Sequence, residues 1–469
     1  MKLMRTSILL SGIVAVAAHA QTTDRALPAF PGAEGFGALT PGGRGGKVVI
    51  VTNLNPDGPG SLQEACAMPG PRIVVFAVSG VISNTITIEH PNITIAGQTA
   101  PGAGITIEGM LVAKPGISDI VVRFVRVRPR PVDEVIRPKE EGCGPLAVRL
   151  SKIGVRLIPP DEGPFDEYDA IKLSRTSNVV LDHVSVSWSV DEAIDMCHTH
   201  HATIQWCTIE EAAKGHTKYG GLHNFGPLAA YAPTYSTFHH NLFANLSRRC
   251  PAVREGPSDV RNNVVYNFHH GFSHDLTGVG SFNIVGNFFK RGPNSGTTVA
   301  GARWTGPTVK PISPTSGATY YIHDNLMDKK PIDVSGGKMR DRSIDMPAVT
   351  THPAADAYDM VLDRAGAFPR DAVTRRTIEE VRAGTGDWGR REPEGGLMAG
   401  LTPADPLVDS DKDGMPDEWE KKNGLDPGKD DSAKVMGSGY TAIEVYVNEL
   451  AALLIPGATA RTDAPRNNP

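Results

Sequence analysis

Carboxylates crowd one stretch of this chain. Asp166, Glu167, Asp169, Asp191, Glu192 and Asp195 stand at its front, and Lys214, Lys218, Arg248, Arg249 and Arg254 follow. Oxygen donors gathered on a rigid surface suit a hard cation such as Ca²⁺, which takes about six to eight oxygen ligands. Cations beyond them suit an anionic substrate, or negative charge that develops during a reaction. The stretch reads as a metal-assisted site acting on a polyanion.

Other polar residues here read as structural. Asp182 and His183 fall mid-strand, where burial and hydrogen bonding are expected. His198, His200 and His201 suit turns and backbone hydrogen bonds better than a transition-metal site. His239 and His240 alternate faces of a strand, so at most one reaches a given cleft. Arg126 and Arg128 share a strand face and Arg123 does not; all three are left outside the site. Asp191 and Asp195 converge only if a turn lies between them.

The elements that must position these groups are short, β-branched runs. Strands are expected at 73–78, 81–82, 93–96, 105–107 and 120–127, and again at 179–186, 203–209, 235–243, 260–266, 282–289 and 320–327. Aligning Leu181, Ile204, Phe238, Val260, Ile284 and Ile322 gives steps of 23, 34, 22, 24 and 38. A base period of about 22–24 with insertions marks a solenoid of parallel coils. Asn178, Asn241, Asn263 and Asn287 sit at turns beside these strands, where stacked amides would bond along the axis.

The chain has 469 residues, with 50 glycines, 37 prolines and 6% aromatics, which favours turns and short strands over long helices. Residues 1–20 have the charge, apolar run and Ala18-His19-Ala20 ending of a signal peptide. Export is therefore expected, to the periplasm or beyond the cell, with cleavage near Ala20. No other stretch is long and apolar enough for a membrane span. The whole chain carries −5, and losing Lys2 and Arg5 with the leader takes it to −7. Such a balance disfavours nucleic-acid binding. Cys66, Cys143, Cys197, Cys207 and Cys250 are odd in number and scattered, so they read as packing residues rather than a disulfide framework.

Further along, a glycine-rich entry at 30–46 reads as tight turns, followed by a strand over 48–52. Ser61 and Glu64 have capping-box spacing, as do Thr441 and Glu444 ahead of a helix over 442–454. A helix is expected over 371–382, stopped by Gly384. The loop Asp409-Ser-Asp411-Lys-Asp413-Gly414 with Glu420 at its twelfth position matches a Ca²⁺-binding loop. The expected divisions are a signal peptide (1–20), a solenoid (21–350), a helical segment and linker (351–400), a small helical Ca²⁺-loop appendage (401–456) and a disordered tail (457–469).

At Asp191-Glu-Ala-Ile-Asp195 followed by Arg249-Cys-Pro-Ala-Val-Arg254, the chain resembles pectate lyases of polysaccharide lyase family 1. The resemblance runs from the Phe30-Pro-Gly-Ala-Glu-Gly-Phe-Gly leader to about residue 328. It takes in Val-Leu-Asp182-His183 and Phe238-His239-His240-Asn241, and the C-terminal loop is similar to segments attached to bacterial members. The resemblance implies an all-β, right-handed, single-stranded parallel β-helix, Ca²⁺ dependence, and cleavage of homogalacturonan by β-elimination. It also implies Asp169, Asp191 and Asp195 as Ca²⁺ ligands, with Glu167 as a further acidic ligand. Arg249 matches the catalytic base, and Lys218 and Arg254 match substrate-binding residues. A secreted monomer acting on a polyuronate is the resulting expectation. The alternatives are a β-helix glycoside hydrolase using paired carboxylates, a lyase acting on methyl-esterified pectin, and a non-enzymatic carbohydrate-binding β-helix.

Overall fold

The computed structural model describes residues 27–129, 169–213, 224–275, 277–298 and 308–457. The leader (1–20), Asp166, Glu167, Lys214, Lys218, Cys143 and most of the tail lie outside the described residues.

Short runs such as Ser177–Asp182 and Ser185–Ser187 pair in parallel with their counterparts one coil away, building sheets of 11, 10 and 6 strands around a common interior. The chain is a parallel β-helix. Leu181 is the register partner of Ile204, Ile204 of Phe238, Phe238 of Val260, Val260 of Ile284 and Ile284 of Ile322. The six residues aligned from the sequence thus form one stack, its first five members in the continuous apolar interior and Ile322 packed against it. Each fully buried Leu, Ile or Phe contributes roughly 1.5–3 kcal/mol of transfer free energy.

Coils turn sharply between the two larger sheets. Phe124, His183, Trp206, His240, Asn262 and Asp324 occupy that corner with φ between 51 and 55°. Left-handed backbone is rare for residues other than glycine. Ring stacking accompanies it: Phe124 lies 4.8 Å from His183, and Trp206 lies 4.3 Å from His240. His183 therefore has a structural place, and Asp182 beside it accepts from Arg123 Nε and Gln205 Nε2, each at 2.8 Å.

An asparagine ladder runs inside the same corner, one residue further along each coil. Asn241, Asn263 and Asn287 each donate from Nδ2 to the Oδ1 of the next rung, ending at Asn325, with every step 2.9 Å. Asn178 is not a rung; it donates to Asp119 Oδ1 at 2.9 Å. Asn325 takes its place because a rung must sit just past the 11-stranded sheet, not at the start of a strand.

Three segments wrap the solenoid. The glycine-rich leader lies flat against the 11-stranded sheet, where Gly37 N donates to Thr203 Oγ1 at 2.9 Å. A Cβ on Gly37 would stand 2.5 Å from the Val179 carbonyl oxygen. Close approach to the sheet, more than tight turning, explains that glycine. Helices Ala354–Arg364 and Ala372–Ala383 pack through Val361, Leu362, Ile378 and Val381 on the 10-stranded sheet. Asp371 accepts from Thr374 N at 3.0 Å to start the second helix, and Gly384 ends it at φ 75°. Helices Asp417–Lys422 and Ala442–Leu454 pack Trp419, Ile443 and Val447 on Ile73 and Val75 of the 11-stranded sheet. These covering clusters draw on the two larger sheets; the six-stranded sheet carries the acidic site.

Arg126 and Arg128 are fully buried beneath the Ala372–Ala383 helix, where Arg128 meets Asp371 at 2.8 Å and Glu210 at 3.3 Å. Cys66, Cys197, Cys207 and Cys250 are all unpaired thiols, three of them buried. No helix among the described residues is long and apolar enough to cross a membrane.

Candidate active site

Successive coils of the six-stranded sheet deliver the site. Asp169 precedes the strand Ile171–Lys172, which pairs with Ile194–Cys197 so that Lys172 lies beside Asp195. One coil further Phe225 bridges Glu192, and Arg248 bridges Phe225 on the coil after that. Carboxylates and arginines thus meet across four successive coils because register stacks them, although Asp169 and Arg249 lie 80 residues apart in sequence.

Asp169, Asp191 and Glu192 form the acidic centre, with one carboxylate oxygen from each within 4.8 Å of the others. Glu192 N donates to Asp169 Oδ1 at 3.0 Å, which locks the turn that carries Asp191. Asp195, expected as a further Ca²⁺ ligand, borders this centre beside Asp169. Its Oδ2 accepts from Ser174 Oγ at 2.5 Å and its Oδ1 from Cys197 N at 2.8 Å. Asp195 lies within Ile194–Cys197, where Ile194 and Met196 face the interior, and Asp191 and Glu192 lie on the turn before it. Lys172 Nζ sits 3.5 Å from Asp169 Oδ2 and 3.8 Å from Asp195 Oδ2, so a cation already spans the two carboxylates.

Arg249 reaches this centre from the far side, in left-handed backbone at φ 61° ahead of a cis Cys250–Pro251 bond. Its Nη1 donates to Glu192 Oε1, and its Nε donates to Asp275 Oδ2 at 2.8 Å. The guanidinium stands 4.6 Å from the centre of the Phe225 ring. Arg248 also pairs with Asp275. Burial pushes the Arg249 guanidinium down to about 10, against the opposing pull of Asp191 and Asp169. Burial likewise lowers Arg248 to about 10.

Arg254 follows the strand Ala252–Val253, pairs with Glu255 at 3.1 Å and lies 5.1 Å from the Tyr231 ring. It is more open than Arg249, with 29% of its side chain exposed against 11%. Three contributors were not singled out in the sequence: Lys172, Asp275, and Glu192 as the residue that closes the acidic centre. Asp275 stands 26 residues after Arg249, about one coil, and that spacing was the available signal.

Three hard-oxygen donors crowded this closely fit a divalent cation, since their mutual repulsion falls when one binds. In the C-terminal appendage Asp409, Asp411 and Asp413 form a second such group.

Parallel coils thus carry an acidic centre and facing arginines on one sheet. The chain is 34% identical over 441 residues to the probable pectate lyase C of Aspergillus terreus, covering 91% of this chain and 94% of that protein. Identity is also 34% to its Aspergillus fumigatus counterpart, over 465 residues, 93% of this chain and 97% of the other. The chain belongs to the pectate lyase family. These relatives are fungal, so they do not support the bacterial kinship expected from the C-terminal loop. No family model matches the chain. Among solved structures, the fold is similar to a thermostable pectate lyase, PL 47, at TM-score 0.50 and 16% identity, covering 71% of this chain and 97% of the other. A Bacillus subtilis pectate lyase mutant gives TM-score 0.50 at 14% identity, covering 73% and 99%.

Proposed function

We propose that this protein is an exported, Ca²⁺-dependent lyase that cleaves α-1,4-linked polygalacturonate by β-elimination. The observation that carries the reading is the meeting of Arg249 with the acidic centre of Asp169, Asp191 and Glu192. Those three residues would hold the ion, with Asp195 and Lys172 bordering it. Bound Ca²⁺ would draw charge from the substrate carboxylate and make the neighbouring C5–H more acidic.

Arg249 accepts the C5 proton. The C–H electrons become the C4=C5 double bond, the C4–O bond breaks, and the departing glycosidic oxygen takes a proton from water, while Arg249 later returns its own to solvent. An arginine side chain ordinarily stays protonated and so cannot accept a proton. Burial brings Arg249 to about 10, and a cation on Asp169 and Asp191 would cancel the pull that holds it up. Asp275 orients the side chain through Nε and spaces it from Arg248. Arg254, beside Tyr231, is suited to a second uronate carboxylate, and Lys218 is assigned a similar role from the family resemblance. Export rests on the signal-like residues 1–20.

Mass analysis of the products from de-esterified polygalacturonate tests the reaction type. Elimination gives fragments whose new non-reducing ends are one water lighter than those of hydrolysis. Fully hydrated ends would replace this reading with hydrolysis.

A further inference from the structure

We propose that the loop 409–420 is a second Ca²⁺ site, one that rivets the C-terminal helices onto the first coils of the β-helix. The proposal is independent of the reaction at Arg249. Asp409, Asp411 and Asp413 bring carboxylate oxygens within 4.8 Å of one another. An acidic cluster alone would mean little, because such groups occur without an ion. Glu420 supplies the second observation. Its side chain is fully buried, yet neither carboxylate oxygen has a hydrogen-bond partner, and Asp411 Oδ2 is buried and unpartnered too. A buried carboxylate with nothing to bond is costly, the more so when it is charged. Burial first, and then Asp413, Asp411 and Asp409, push Glu420 up to about 7.

The spacing identifies the cation. Positions one, three, five and twelve of the loop are Asp409, Asp411, Asp413 and Glu420, and position six is Gly414 at φ 91°. That order supplies side-chain oxygens, a sharp turn, the Met415 carbonyl at position seven and a final glutamate able to give two oxygens, the pattern of a seven-coordinate Ca²⁺ loop. Mg²⁺ demands a tighter octahedron and keeps its waters, so it is the poorer fit.

Position in the fold gives the site its role. A Cβ on Gly414 would stand 2.8 Å from Val48 Cγ1 and 3.2 Å from Val75 Cγ2, so the loop is pressed against the first two strands of the 11-stranded sheet. Met415 beside it is fully buried with Ile73, Val75 and Ile443. Trp419 Nε1 donates to Glu449 Oε2 at 2.8 Å, tying the short helix to the last one. An ion here would fix both helices and the strands beneath them together.

The test uses the full chain in an Asp191→Asn background, which weakens the other acidic centre, with and without Glu420→Gln. Melting is followed with CaCl₂, MgCl₂ or chelator, alongside the count of Ca²⁺ bound at equilibrium. The parent should melt higher as CaCl₂ rises, with little response to MgCl₂, because ligand binding to the native state stabilises by mass action. Glu420→Gln should lose that rise and one bound ion. In chelator it should melt at or above the parent, since it removes a buried charge. Asp411→Asn should lose the same rise, a check should Glu420→Gln fold poorly. On its own, Glu420→Gln should retain the wild-type lyase rate at saturating Ca²⁺. A CaCl₂ response and ion count unchanged by both substitutions, or no response in the parent, would overturn the proposal.

Discussion

Arg249 Nη1 donates to Glu192, the same carboxylate that completes the acidic centre with Asp169 and Asp191. One side chain therefore faces two roles, partner to the arginine and donor to a cation. A Ca²⁺ ion drawing on Glu192 would loosen its hold on Arg249 and favour the neutral guanidine. Glu192→Gln should raise the Ca²⁺ concentration for half-maximal activity by about tenfold or more, the scale seen when groups around a metal are altered. Ca²⁺ titration of initial rates checks this, and an unchanged midpoint would remove Glu192 from the ion's surroundings.

The base sets the pH profile. With Arg249 at about 10, only the small neutral fraction is active at lower pH, and it grows about tenfold per pH unit until that value is approached. Activity at saturating Ca²⁺ should climb from neutral into alkaline pH. A profile that peaks below pH 7 would contradict an arginine base.

Acid stability turns on a different arginine pair. Burial alone would raise the Asp371 carboxyl, but Arg128 and Arg126 override it and hold it below the usual carboxylate range. A carboxyl lowered in the native state stabilises above its unfolded value, about 3.9, and that stability is lost as pH falls through the native value. Asp371→Asn should therefore cost stability near pH 7 and flatten the loss on going from about pH 5 to pH 2. Asparagine caps helices about as well as aspartate, so the helix start is preserved. Melting temperatures of both proteins across that range provide the check, with parallel curves counting against the ion pair.

The asparagine ladder should behave as one unit. Asn263→Ala removes a rung that accepts from Asn241 Nδ2 and from Asn241 N, leaving both donors buried. The expected cost is roughly 2–6 kcal/mol, from about 1–3 kcal/mol for each of the two stranded groups. Denaturant unfolding measures it. Asn178→Ala, outside the ladder, should cost well under half as much.

The solenoid was readable because its interior is written in a repeat. Leu181, Ile204, Phe238, Val260, Ile284 and Ile322 could be aligned from spacing alone, and they proved to be register partners. Periodicity says which residues stack but little about where side chains on turns converge. Glu192 and Asp195 were therefore hard to rank: both flank the same strand start, and only the turn geometry sends Glu192 to Asp169 while Asp195 meets Ser174. Asp275 was hidden for a related reason, since it lies on a turn one coil beyond Arg249, outside any strand. The leader glycines looked like turns because sequence shows flexibility more readily than contact with a sheet.

The central claim is that Arg249 and a bound Ca²⁺ together drive elimination. The most direct test is the ultraviolet absorbance of a 4,5-unsaturated uronide during incubation with de-esterified polygalacturonate. Wild type and Arg249→Ala are run side by side, each with Ca²⁺ or chelator. The account predicts a Ca²⁺-dependent rise for wild type and a rate about 10²–10⁴-fold lower for Arg249→Ala, the usual contribution of a positioned base. A rise that survives in Arg249→Ala, or that is indifferent to chelator, would contradict it.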